Sequence, residues 1–420
     1  MTPHTTGTRV PSGSGWLVCL TLTTFAIGTD DLVIAGLLPE IARDLGIGVG
    51  AAGQLVTVFS ITYAVAAPPL AVATARLPRR ALLLGGLAVF ALLNLATAFS
   101  PGYSALMALR VLTALVAATL TPAAFSMAAG LSGPERTGRA MGAVAAGLTV
   151  SLVLGVPTGT VLGALFGWRS AFVFVALFSL AVLAASALLL PGLSGQRGSG
   201  IREQVRQLGR PAVLTCVAGT VVGAGCGYMA YTYVAPVTRD LTGAHGAALA
   251  PLIAVAGLFG ALGTVVCGRA TDRWGADRVL LAAFGGTVAA CALLAALGAW
   301  AGGAVPVWVL ALVLALWGFA AWGFAPPMTA RVLALAGDAG TEAVALNTSG
   351  LYAGVALAGA VGGAAAGYGG TGVAVAATVT GVVALALMAV SVRLFPTGSP
   401  SGGAVRRVGA DHEGGRDAHR

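Results

Sequence analysis

The sequence predicts an all-α membrane protein that crosses a bilayer twelve times, and three observations support this. The chain has 420 residues of which 57% are apolar and only 9% charged, too few charges for the surface of a soluble protein of this length. Its apolar runs are about 20 residues long, which is the length of a helix that spans the hydrocarbon core. The alternation of apolar and polar residues that marks a transmembrane barrel strand is absent.

Twelve apolar runs are separated by charged residues or by glycine and proline. Several linkers hold only a few residues, which favours antiparallel packing of neighbouring helices. An even number of spans places both termini on the same side of the membrane. We predict spans at residues 16–38, 51–73, 81–99, 104–130, 139–165, 170–191, 211–236, 247–267, 279–300, 305–328, 342–366 and 371–393.

The arginines predict the orientation of these spans. All 23 basic residues are arginines, and 19 of them lie in the tails or in the loops after even-numbered spans, among them Arg331 in the loop 329–341. The opposite loops carry only Arg43, Arg169 and Arg239. Because cytoplasmic loops are enriched in arginine, we expect both termini in the cytoplasm and the chain in the inner membrane. This distribution argues for a bilayer and against nucleic acid as the partner of the positive charge.

The two halves of the chain are similar to each other. Span one ends in LLPEIARDL and span seven in YVAPVTRDL, so that Pro39 and Pro236 are 197 positions apart, and Arg80 and Arg278 are 198 apart. Six-helix repeats that meet at a central interface build many secondary transporters. Part of the central loop, IREQVRQL, is expected to lie on the membrane surface as an amphipathic helix. The predicted parts are an N-tail at 1–15, six-helix halves at 16–191 and 211–393, a cytoplasmic loop at 192–210 and a disordered C-tail at 394–420.

Sites of enzymatic chemistry are not found in the sequence. The five cysteines lack metal-site or CxxC spacing, and the four histidines lie in the tails or in a loop. The absence of lysine excludes a GxxxxGK[ST] phosphate loop, and neither HExxH nor GxSxG occurs. We therefore predict no catalytic residue, no metal site, no cofactor and no enzyme.

The loop between spans eight and nine contains a charged motif, spaced G-x-x-x-D-R-x-G-x-x-R. An acid at a helix N-terminus gains from the helix dipole and can pair with arginines of neighbouring helices. We interpret the motif as a cytoplasmic gate, the alternative being a simple positive anchor. The first-half copy, ATARLPRRALL, lacks both the glycine and the aspartate, so only the second-half copy is expected to latch. The motif residues are Gly268, Asp272, Arg273, Gly275 and Arg278.

Span five carries a glycine stripe on one helix face, because Gly155, Gly159 and Gly163 recur every four residues. Such a face lets another helix approach closely. Pro157 lies inside the run and bends it, because proline removes one backbone hydrogen bond. Generic packing of small residues is the alternative interpretation.

These motifs carry a resemblance to a known family. The loop 8–9 motif closely resembles the signature of the major facilitator superfamily, and G-V-P-x-G in span five resembles its antiporter motif, with the proline shifted by one position. GTDDLVIAGLLPEIARDL and Arg110 in span four are similar to motifs of the twelve-helix drug:proton antiporters, in the chloramphenicol-efflux and arabinose-efflux branch. The resemblance covers residues 16–393. It implies the major facilitator fold, a role for Arg110 in proton transfer and a cavity between spans one, four, seven and ten.

Asp30 and Asp31 lie side by side within the first span. Adjacent helical residues point about 100° apart, so the two acids face different neighbours. Asp31 shares its stripe with Thr24 and Gly28, and we expect it to be the proton and cation site, with Asp30 more peripheral. The alternatives are that the span ends before both acids, leaving them in a wet loop, and that Arg110 reaches the membrane surface instead of an acid.

Polar and aromatic residues within the spans predict the substrate cavity. Aromatic rings with few charges suit a moderately apolar substrate, and an acid suits a cationic one or a proton alone. The predicted function is monomeric, proton-coupled export of a small drug-like or antibiotic-like molecule, without a cofactor. Export of a sugar or metabolite, a non-transporting sensor and a membrane enzyme are the alternatives. The predicted cavity residues are Asp31, Gln54, Thr113, Tyr228, Tyr231, Trp317, Asn347 and Tyr352.

Overall fold

The computed structural model describes residues 14–133, 135–193, 206–300 and 305–397. These ranges hold twelve long helices and no strand. Each predicted span overlaps one helix, which confirms the predicted all-α architecture. The helices are α1 Gly15–Asp44, α2 Val49–Ala73, α3 Arg79–Ala98, α4 Tyr103–Leu131, α5 Thr137–Phe166, α6 Arg169–Leu189, α7 Pro211–Thr232, α8 Leu249–Trp274, α9 Ala276–Trp300, α10 Val307–Ala336, α11 Gly340–Ala365 and α12 Gly369–Leu394.

Three helices are interrupted, two of them next to prolines. A π-helical turn, Ser151–Gly155, lies in α5 just before Pro157 and accommodates the backbone hydrogen bond that this proline cannot donate. Helix α10 breaks at Phe324, ahead of Pro326 and Pro327, and then continues. Helix α7 is followed at once by a short helix, Val234–Thr242.

The two six-helix halves contact each other through pairs of helices that respect the sequence repeat. Helix α2 packs on α11, and α5 packs on α8. Helix α8 is the second-half equivalent of α2, and α5 is the first-half equivalent of α11, so the two pairs are equivalent contacts. This is expected for two similar halves related by a pseudo-two-fold axis.

The halves are closed together at one end only. A large apolar core at the end that carries the α1–α2 loop includes Val33 and Leu37 of one half and Tyr233 and Val373 of the other. At the opposite end, one buried core consists of side chains of the first half and another of side chains of the second. If the arginine pattern gives the orientation, the described chain is closed toward the outside and faces inward.

One arginine lies in a different place from the predicted one. Arg331 was expected in the loop after the tenth span, but it lies within α10 and its side chain is 0% exposed. The reason is that the helix resumes after its break and continues to Ala336, and that Asp277 neutralises the buried guanidinium. Residues 1–13 of the N-tail, residues 201–205 of the IREQVRQL segment and residues 398–420 of the C-tail fall outside the described residues.

Candidate functional site

Asp30 of α1 and Arg110 of α4 form a buried ion pair in the first half. Arg110 Nη1 lies 3.0 Å from Asp30 Oδ2, and each side chain is only 1% exposed. The guanidinium carbon of Arg110 also lies 4.2 Å from the centre of the Phe59 ring, close enough for a cation–π contact. Arg110 is therefore held in the interior of the first half, where Asp30 of α1 compensates its charge.

Asp31 has a different environment from its neighbour. Its side chain is half-buried, and its Oδ1 has no hydrogen-bond partner among the described residues. Tyr352 on α11 and Tyr228 on α7, both of the second half, lie close to this carboxylate. The structure thus places Asp31 at the interface of the two halves and Asp30 inside the first half.

A cluster of four aromatic rings, which we call the aromatic cluster, lies on α7 and α10 of the second half. Tyr231 stacks on Trp317 with 6.0 Å between ring centres, and Trp322 packs edge-on against both rings at 5.5 and 5.0 Å. Tyr228 lies 5.8 Å from Trp322, and both of these rings are half-buried. The Tyr231 hydroxyl and Trp317 Nε1 are buried without a hydrogen-bond partner in the described chain. The cluster therefore offers apolar ring faces and two unused polar groups.

A pair of tyrosines connects the two halves beside Asp31. Tyr63 of α2 stacks on Tyr352 of α11 with 3.7 Å between ring centres and 19° between the ring planes. Tyr352 is a predicted cavity residue, whereas sequence reasoning did not single out Tyr63. The signal that the sequence did contain is a tyrosine, with its polar hydroxyl, inside an apolar span.

Three further predicted cavity residues form hydrogen bonds within or between helices and do not belong to the aromatic cluster. Gln54 donates from Nε2 to the carbonyls of Gly50 and Gly359, both at 3.3 Å, in the contact between α2 and α11. Thr113 is buried and donates to the Leu109 carbonyl of its own helix. Asn347 accepts a hydrogen bond from the Thr220 hydroxyl at 2.7 Å, which ties α11 to α7.

The glycine stripe of α5 packs on the part of α1 that carries the two aspartates. A side chain built on Gly155 would meet Thr29, one on Gly159 would meet Val33, and one on Gly163 would meet Leu37. The four-residue repeat is therefore matched by a four-residue repeat on α1. Because Thr29 directly precedes Asp30, this close contact fixes the position of the aspartate pair relative to α5.

The loop 8–9 motif is open to solvent in this conformation. Asp272, Arg273 and Arg278 are exposed, and Asp272 forms no ion pair within the described residues. Gly268 lies beside Pro326 of α10. Gly275 has φ +86° and makes the sharp turn from α8 into α9, a conformation that L-residues with a side chain rarely adopt.

A second charged cluster lies next to this motif and was missed by sequence reasoning. Asp277, at the start of α9, pairs with Arg331 of α10 and accepts a hydrogen bond from the Thr397 backbone at 2.8 Å. Arg331 Nη2 donates to the carbonyl and hydroxyl of Ser391, both at 3.0 Å, and to the Phe395 carbonyl at 2.9 Å. This cluster holds the end of α12 against α9 and α10.

Comparisons with known proteins agree with this architecture. The family model of the Major Facilitator Superfamily matches residues 20–341. The inner membrane transport protein YdhP of Escherichia coli is 30% identical over 391 residues, which is 90% of this chain and 96% of the relative. A chloramphenicol resistance protein of Streptomyces lividans is 33% identical over 262 residues, 61% of this chain and 67% of the relative.

Solved structures show the same fold. A bacterial homologue of the human lysosomal transporter Spinster, in an inward-facing and unoccupied conformation, superposes with a TM-score of 0.69 at 18% identity, covering 90% of this chain and 95% of the other. The family model and the transporter structures point to a transporter and not an enzyme. The chain belongs to the Major Facilitator Superfamily.

Proposed function

We propose that this transporter is a proton-coupled antiporter of the cytoplasmic membrane that exports a small drug-like or antibiotic-like molecule. The observation that carries the proposal is the half-buried Asp31, which has a free carboxylate oxygen and lies between the two halves. The likeness to the chloramphenicol resistance protein supports export as the direction and an antibiotic-like molecule as the substrate.

The charges around Asp31 fit an exchange of a proton for a substrate. Asp30 and Arg110 compensate each other, so the site carries one negative charge when Asp31 is ionised and none when it is protonated. An ionised acid within the membrane costs several kcal/mol unless a partner or water compensates it. The protein would therefore change between its inward-open and outward-open states when Asp31 has either a proton or a substrate bound.

The aromatic cluster describes what kind of molecule fits beside this acid. Flat, moderately apolar groups stack on the half-buried rings of Tyr228 and Trp322, whose faces also attract a cationic group. Tyr231 and Trp317 are buried in this conformation, so Tyr228 and Trp322 are the rings of the cluster that a substrate would contact. These groups discriminate among substrates without requiring any cofactor, and a single copy of the chain holds all of them.

Alternating access supplies the sequence of steps. With the outer end closed, Asp31 releases its proton to the cytoplasm and the substrate enters the cavity. Opening toward the outside requires the contacts between α2 and α11 to break, after which protonation of Asp31 displaces the substrate. The loop 8–9 motif, solvent-exposed while the cytoplasmic end is open, would then close that end through Asp272.

The test starts with a susceptibility panel, including chloramphenicol, in an efflux-deficient host with and without the gene. Efflux of the compound found is then measured in proteoliposomes with an imposed pH gradient. Asp31→Asn is expected to abolish gradient-driven efflux while the protein stays folded in the membrane. Asp44→Asn, at the end of the same helix, removes the same charge at a position outside the candidate site and is expected to retain efflux. Unimpaired driven efflux by Asp31→Asn would overturn the proposal.

A further inference from the structure

An apolar groove of about 560 Å³ lies between α8 and α9, with α10 as its floor. Small residues make it concave, among them Ala282 and Gly286 on α9 and Ala320 on α10. Its volume lies in the range of roughly 300–1,000 Å³ that is usual for sites of small molecules. The groove lies outside the candidate site described above.

The groove opens onto the lipid-facing surface of the protein. Leu316 and Phe319 line it, and on a helix with about 100° per residue Trp317 of the aromatic cluster points about 100° or more away from both. Leu316 is 42% exposed and Val266, on the α8 wall, is 39% exposed. A lipid acyl chain is therefore the apolar partner that reaches this surface.

One end of the groove carries a positive charge. Arg278 is exposed, lines the groove and forms no ion pair within the described residues, and the half-exposed ring of Trp274 lies at the same end. Two acids lie close to Arg278 in the chain. Asp277 is paired with the buried Arg331, and the negative charge of Asp272 is exceeded by the positive charges of Arg269 and Arg273. Tryptophan and arginine at the end of an apolar groove match the depth of lipid headgroups.

We propose that this groove binds one anionic phospholipid of the cytoplasmic leaflet, with an acyl chain along the groove and the phosphate at Arg278. The orientation follows from the arginine distribution, since loop 8–9 is predicted on the cytoplasmic side, where basic pockets between helices bind anionic headgroups. Neutral lipid would fill the apolar part equally well but would leave the charge of Arg278 without a partner. The site is separate from the transport site and does not depend on the proposed substrate.

The test is native mass spectrometry of the delipidated full-length protein, titrated with phosphatidylglycerol or with phosphatidylcholine of the same acyl chains. Arg278→Gln is expected to weaken phosphatidylglycerol binding about fivefold, equivalent to ~1 kcal/mol, and to leave phosphatidylcholine binding unchanged. Arg269→Gln removes an exposed charge from the same turn outside the groove, and should change neither lipid. Equal losses in the two variants would overturn the proposal in favour of diffuse surface charge.

The apolar part of the groove is tested separately. Ala282→Phe fills the groove and should weaken the binding of both lipids, whereas Ala289→Phe, seven residues further along the same exposed face of α9, lies outside it and should not. Thermal melting in detergent checks that each variant is folded. Unchanged lipid binding in Ala282→Phe would show that no lipid occupies the groove.

Discussion

Arg110 reaches Asp30 across 3.0 Å inside the first half, and the residue that follows Asp30 along the chain points out of that half. The rotation of about 100° per residue along a helix is enough to give adjacent acids opposite surroundings. Asp30 serves the charge balance of α1 and α4, while Asp31 is left to face whatever enters between the halves.

Removing the charge of Asp30 is expected to destabilise the fold. Asp30→Asn leaves the buried guanidinium of Arg110 without compensation, and loss of one partner of a buried pair typically costs ~3–5 kcal/mol. The measurement is thermal or denaturant unfolding of the detergent-solubilised protein. Asp31→Asn, half-buried and without an ion-pair partner of its own, is expected to lose much less. Equal stability of Asp30→Asn and the wild type would show that the ion pair does not contribute to the fold.

Closure of the outer end is expected to depend on one hydrogen bond between the halves. Gln54 Nε2 of α2 donates to the Gly359 carbonyl of α11 at 3.3 Å, which links the first half to the second. Gln54→Met removes ~1 kcal/mol from the closed state if that bond breaks on opening, which shifts the ratio of inward-facing to outward-facing molecules about fivefold. Accessibility of cysteines introduced at the outer end measures the shift.

A hydrogen bond within one half supplies the control for this prediction. The Tyr103 hydroxyl donates to the Ala51 carbonyl at 2.7 Å, but both residues belong to the first half. Tyr103→Phe is therefore expected to leave the conformational ratio unchanged. A similar shift in both variants would mean that the effect arises from general loosening of the helices.

The buried Asp277–Arg331 pair, at the end that carries loop 8–9, is expected to contribute more to stability than Asp272, the exposed acid of the motif beside it. Asp277→Asn leaves the fully buried Arg331 uncompensated and should lower the free energy of unfolding by ~3–5 kcal/mol. Asp272→Asn changes an exposed acid five residues away and should change stability by less than ~0.5 kcal/mol. Unfolding of the two variants side by side gives the comparison. The prediction is wrong if both melt alike.

The contact between α5 and α1 is expected to tolerate no added methyl group. Gly155→Ala places a Cβ against Thr29, whose hydroxyl is already bonded to the Phe25 carbonyl at 2.8 Å, and overpacking of this kind costs ~1–3 kcal/mol. Gly142→Ala lies in the same helix at a position with open space, where alanine favours the helix by up to ~1 kcal/mol. Thermal melting should move in opposite directions. A fall of the same size in both would exclude close packing as the reason for the glycine.

The sequence predicted the helices well because hydropathy over 20 residues is a strong local signal. It also predicted different surroundings for Asp30 and Asp31, since helical facing depends only on spacing. It did not reveal the Tyr63–Tyr352 pair or the partner of Arg331, because which helices touch is decided by the packing of distant segments. Arg331 was assigned to a loop because charged residues were taken to end the apolar runs, whereas the helix continues past it to Ala336 and encloses the side chain.

The contact between α2 and α11 has a consequence for leakage. Gly50 lies against the main chain of Gly363 and Gly53 against that of Gly359, and the side chains of Gln54, Thr57 and Tyr233 fill the space beside these contacts. Two backbones at that separation leave no passage for a continuous file of water molecules. While the site is open toward one compartment, ions and protons therefore cannot leak past the transporter along this seam.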